Sequence, residues 1–108
     1  MWSCDRFSNS FRREDVIVKL NICGRKYTIR RGDIGENLGL CDPAVGVITI
    51  AEDLEDRSNI PADSIELHEV VHAILFETGL TSLFSENIEE AVVSGIAAQL
   101  YVVGYRRT

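Results

Sequence analysis

Ile65-Glu66-Leu67-His68-Glu69-Val70-Val71-His72-Ala73-Ile74-Leu75 holds both histidines of this 108-residue chain, four positions apart. Ile65, Leu67, Val70, Val71, Ile74 and Leu75 surround them with apolar side chains, so the stretch reads as a buried helix and not a solvated one. At about 100° per residue, His72 returns to within roughly 40° of His68. Both imidazoles leave one face a turn apart, the spacing at which two ring nitrogens grip one Zn²⁺ at about 2.0–2.1 Å. Glu69 projects from the neighbouring stripe, where it reaches a water on the metal but not the metal itself. Two histidines and a glutamate buried among aliphatics without partners are costly, and a metal offsets that cost. The competing reading is a pair of hydrogen-bonded core histidines.

Upstream, Val16, Val18, Leu20 and Ile22 alternate with Ile17, Lys19 and Asn21, the period of a strand. Cys23-Gly24-Arg25 supplies a tight turn, and Lys26–Arg30 returns as a second strand. Residues 31–45 are rich in Gly and Asp and read as a loop. Gly46–Ile50 is a third strand by its β-branched content. Residues 52–60 lead to the motif helix. Pro61 suits its first turn, Ser58 or Asn59 is its candidate cap, and Gly79 stops it. A second helix begins near Ser85–Asn87 and runs to about Val103, with Ile88, Val92, Gly95, Ile96 and Val103 as its apolar period. The expectation is an α+β fold: a small three-stranded sheet, antiparallel or mixed, packed on the motif helix and a second, C-terminal helix. Residues 1–14 are polar without a period and read as a flexible arm, leaving residues 15–108 as a single domain.

Apolar residues make up 45% and charged residues 26% of the chain, the balance of a soluble globular protein. A net charge of −6 argues against nucleic-acid binding as the main role. Arg12–Arg13, Arg30–Arg31 and Arg106–Arg107 are short basic pairs on the surface. No apolar run reaches membrane-spanning length, and the N-terminus lacks the apolar centre of a signal peptide. Cys4, Cys23 and Cys41 are odd in number and lack C-x-x-C spacing, which suits reduced thiols and a cytoplasmic setting.

A catalytic zinc takes three protein ligands and leaves one position open. With no third histidine, the remaining donor is a carboxylate, and the second helix offers Glu86, Glu89 and Glu90 near its start. An acidic first turn also suits the helix dipole, and Asn87 to Glu90 resembles a capping box. The stripe Glu90, Ser94, Ala97 and Ala98 would let this helix approach the first closely. That ranks Glu90 ahead of Glu89 and Glu86.

His68-Glu69-Val70-Val71-His72, followed by Glu89-Glu90-Ala91-Val92-Val93-Ser94-Gly95-Ile96-Ala97-Ala98-Gln99-Leu100, resembles the gluzincin-type metallopeptidases. In these, a glutamate on a second helix completes the site after H-E-x-x-H; the thermolysin-like members are the best known. The short chain looks most like the compact zincin-like proteins of phages and prophages, and more distantly the ImmA/IrrE peptidases. Their second helix carries Glu, a small polar residue a turn later, then an apolar-Ala pair. Here those positions are Glu90, Ser94 and Ile96-Ala97, a register that selects Glu90; the family's Asn or Asp is Ser94.

The resemblance implies peptide-bond hydrolysis. His68, His72 and Glu90 would hold Zn²⁺, and Glu69 would be general base to a metal-activated water, later passing the proton to the leaving amine. It also implies that an edge strand, carried over to Val47–Thr49, pairs with a peptide or protein substrate. Tyr27, Tyr101, Tyr105 and nearby arginines are the candidate oxyanion donors. Two other readings stand beside the peptidase: a zinc-binding regulatory or interaction module with little turnover, and a core whose cleft is completed by a partner or homodimer. Peptide deformylase shares H-E-x-x-H, but its Glu-Gly-Cys motif is absent.

Overall fold

Alternation of apolar and polar residues in Val18–Ile22 (β1) turns one face inward, and the chain reverses over Cys23-Gly24 into Arg25–Gly32 (β2). Both turn residues have positive φ, 53° and 88°, the backbone of a two-residue hairpin whose twist matches its strands. The computed structural model describes residues 18–104. The arm over residues 1–14, the strand start at Val16, Cys4, Tyr105, Arg12–Arg13 and Arg106–Arg107 lie outside them.

The next strands are Gly39–Asp42 (β3) and Val47–Ala51 (β4). The sheet has four strands in the order β1-β2-β4-β3. β1 and β2 are antiparallel, β2 and β4 parallel, and β4 and β3 antiparallel. The architecture is α+β and the sheet is mixed, one of the two expected forms, but it has a fourth strand within what reads as a loop over 31–45. β3 carries no β-branched residue and is held by pairing with β4, from Gly39 opposite Ile50 to Asp42 opposite Val47. Val47–Thr49 is therefore not an edge strand, because β4 is bonded on both sides. The edge beside the motif helix is β3.

Leu54–Arg57 (α1) is a single turn. Ala62–Glu77 (α2) carries the histidines, Leu80–Leu83 forms a 3₁₀ turn, and Glu86–Val102 (α3) follows. Pro61 itself occupies the N-cap of α2, and no side chain caps it. Ser58 instead accepts a hydrogen bond from the Ile60 amide at 3.0 Å, so the expected Ser58 or Asn59 cap does not form. Gly79, at φ 85°, follows the Thr78 C-cap and ends the helix in a left-handed conformation.

Two apolar clusters hold the layers together. Ile22, Tyr27, Ile29, Ile48, Ile50, Leu54, Val70 and Ala73 fill the space between the sheet and α2. Leu67, Val71 and Leu75 meet Val93 and Ala97 between α2 and α3, with Phe84 and Tyr101 alongside. The order is sheet, α2, α3, and α3 packs on α2. Burial on two faces explains why α2 carries apolar residues on more than one side. The inward stripe of α3 is Val93 and Ala97, not the expected Ile88 and Ile96, which are exposed. Two adjacent apolar stripes compete on this helix, and periodicity cannot rank them. Among the described residues, no helix is long and apolar enough to cross a membrane.

Candidate metal centre

Leu67, Val71 and Leu75 point at α3, while Val70 and Ala73 point at the sheet. His68, His72 and Phe76 follow one another at four-residue spacing along the seam between these faces. The imidazoles are partly buried, with ring centroids 5.1 Å apart and planes at 61°. They open onto a cleft of about 420 Å³, bordered by β3 on one side and the start of α3 on the other.

Ser85 caps α3, its Oγ accepting from the Ile88 amide at 3.3 Å. The expected Asn87–Glu90 capping box is displaced, since the N-cap lies two residues earlier. This leaves Glu89 and Glu90 free to face α2. Glu90 spans both histidines: Oε2 lies 2.9 Å from His68 Nε2, and Oε1 lies 3.1 Å from His72 Nε2. Glu89 reaches the other nitrogen of the second ring, with Oε2 2.8 Å from His72 Nδ1. The adjacent glutamates thus take different atoms. Glu86, at the first position of α3, stands outside the cluster.

One donor atom each from His68, His72 and Glu90 lies within 4.8 Å of the others, a group that could hold a metal ion. Bonds of about 2.0–2.1 Å would set tetrahedral donors roughly 3.3 Å apart, so small side-chain adjustments admit an ion. Glu69, Glu89 and Glu90 also place three carboxylates around two imidazoles, an excess of negative charge that a divalent cation relieves. The donor set suits several first-row metals and does not single one out.

Glu69 is buried, 9% exposed, and lines the same cleft. Burial raises its carboxyl above the usual carboxylate range; His68 and His72 oppose this, and Glu90 adds to it. Gly39 of β3 is why the side chain fits. A Cβ there would stand 3.1 Å from Glu69 Cγ and Oε2, and 2.6 Å from Ile65 Cγ2.

The proposed oxyanion donors are elsewhere. Tyr27 is fully buried and donates to Glu77 Oε2 at 2.6 Å, and Tyr101 packs in the cluster between α2 and α3. Among the described residues, no tyrosine or arginine lines the cleft. Thr81, which sequence reasoning passed over, does: its Oγ1 is buried without a hydrogen-bond partner. A Thr-Ser pair between helices is ordinary turn composition, so no sequence signal marks it. Cys41 also faces the cleft but stands outside the ligand group. Burial, with Glu69 next in weight, pushes its thiol up to about 12. Ser94 is exposed on α3.

No protein-family model matches the chain, and no curated protein or solved structure matches it either.

Proposed function

We propose that the chain is a small zinc-dependent peptidase of the gluzincin type. One observation carries the reading: His68, His72 and Glu90 converge from two helices, with the buried Glu69 beside them on the wall of an open cleft. A hydrogen-bonded core histidine pair would also take Glu89 and Glu90 as partners, but it would need no open cleft beside it.

Zinc bound by His68, His72 and Glu90 supplies Lewis acidity, lowering the pKa of water and polarising a carbonyl. Glu69 accepts the proton of the attacking water on its carboxylate and returns it to the departing amine. The outer edge of β3, from Gly39 to Asp42, has no partner strand among the described residues, borders the cleft and can pair with an extended substrate backbone. This role passes to β3 because β4 is interior. The wider setting proposed is that of the phage-type zincin-like proteins in the cytoplasm.

Metal analysis of the purified protein, together with digestion of a peptide library, tests the reading. One zinc per chain and cleavage that disappears in Glu69→Gln are expected. Zinc uptake without turnover on any pool would favour the second reading, a zinc-binding interaction module. That alternative draws on the absence of tyrosine and arginine from the cleft wall among the described residues.

A further inference from the structure

Glu89 lies deeper than its neighbour: its side chain is 15% exposed, against 58% for Glu90. Its hydrogen-bond partner in the cleft is the His72 ring, 2.8 Å away at Nδ1. A neutral ring that gives Nε2 to a metal keeps its proton on Nδ1, and the Glu89 carboxylate is the acceptor placed for that proton. The nitrogen left facing Glu90 and His68 is Nε2. We infer that Glu89 is the positioning residue of this centre, holding the His72 ring by its Nδ1 proton so that Nε2 is the nitrogen presented to the metal.

The inference rests on the metal-centre reading and goes further, giving a distinct task to a residue that sequence ranked as a rival ligand. A neutral imidazole in water exchanges its proton between the two nitrogens, and the form protonated at Nε2 cannot bind a metal there. Glu90 Oε1, 3.1 Å from Nε2, competes for that proton, and the more buried Glu89, 2.8 Å from Nδ1, favours the form that leaves Nε2 open and fixes the ring plane. The backbone places the acceptor. Ser85 starts α3, the Glu89 amide makes a 2.9 Å bond to the Ser85 carbonyl, and Val93 and Ala97 set the helix against α2. Glu89 and Glu90 then reach His72 from two directions. His68 has no equivalent contact at Nδ1 with the described residues, so the effect is specific to one ring.

Zinc affinity measured by competition with a chromophoric chelator tests this in the full chain, for Glu89→Ala, Glu89→Gln and Glu86→Gln. Glu89→Ala should weaken zinc about 10- to 100-fold while keeping one site per chain. Glu89→Gln, which retains an acceptor, should fall between it and wild type and provides the test if the alanine variant does not fold. Glu86→Gln alters only the acidic first turn and should bind as wild type. Proton NMR supplies an independent readout: a slowly exchanging His72 Nδ1–H resonance, present in wild type and absent in Glu89→Ala. Zinc affinity and that resonance both unchanged in Glu89→Ala would overturn the inference while leaving the metal centre standing. Wild-type protein that takes up no zinc, yet loses the resonance in Glu89→Ala, would end the metal reading and leave the positioning contact intact.

Discussion

Gly39 lies against Glu69 so closely that a Cβ on the glycine would stand 3.1 Å from the glutamate's Cγ and Oε2. The edge strand and the proposed base share one small space, which also includes Ile65 Cγ2, 2.6 Å from the same point. Gly39→Ala should therefore destabilise the protein by about 1–3 kcal/mol through overpacking. Urea unfolding midpoints measure it. In an Ile65→Ala background the penalty should shrink, because the nearest clashing atom is gone. Equal penalties in both backgrounds would show that β3 simply shifts outward.

The ligand group and the base should separate by readout. His68→Ala and His72→Ala each remove a donor atom, Glu90→Gln replaces the anionic carboxylate with a neutral amide, and each should abolish tight zinc binding in equilibrium dialysis. Glu69→Gln leaves all three donors in place. It should keep one zinc per chain while peptide hydrolysis falls about 100- to 10,000-fold. Loss of zinc in Glu69→Gln would place that carboxylate among the ligands.

Tyr27 and Arg25 both bind Glu77 Oε2, at 2.6 and 2.8 Å, tying β2 to the last turn of α2. The Tyr27 hydroxyl first, and Arg25 next, hold the Glu77 carboxyl below its ordinary value of 4.5. A lowered folded-state value stabilises the protein above the unfolded carboxylate range, and that contribution is lost as pH falls through the folded value. Glu77→Gln should thus lower the melting temperature at pH 7. The gap to wild type should close as pH falls below about 4. A pH-independent gap, followed by circular dichroism, would contradict this.

Cys41 and Cys23 should differ in reactivity. With the Cys41 thiol pushed up to about 12 by burial and nearby carboxylates, thiolate at pH 8 is on the order of one part in ten thousand. Cys23 is exposed in the β1–β2 turn. Iodoacetamide at pH 8 should label Cys23 well before Cys41, as read by peptide mass. Cys41→Ser should retain zinc, since Cys41 borders the cleft outside the donor group.

The hairpin, the motif helix with its Gly79 stop, and a second helix beginning near Ser85–Asn87 were legible because each rests on local chemistry: alternation, helical period and a glycine stop; the Ser85 cap was not, because Asn87 to Glu90 offers a competing box. β3 was not, because Gly39-Leu40-Cys41-Asp42 has no strand propensity of its own and exists through pairing with β4. The α2 cap was misplaced for a related reason. Ser58 bonds within its own turn, and the extended backbone at Pro61 starts the helix without a side-chain cap.

From sequence alone came the spacing that puts His68 and His72 on one face with Glu69 beside them, a consequence of helical pitch within a single segment. Tertiary structure decided how the neighbouring glutamates divide, Glu90 across both Nε2 atoms and Glu89 on His72 Nδ1. It also decided that β3, and not β4, borders the cleft. Both depend on how separate elements rotate and register against one another. That is set by Val93 and Ala97 packing on α2 and by β4 pairing with β2, contacts between residues far apart in the chain, and by β3 pairing with β4, which has no strand propensity in Gly39–Asp42 to announce it.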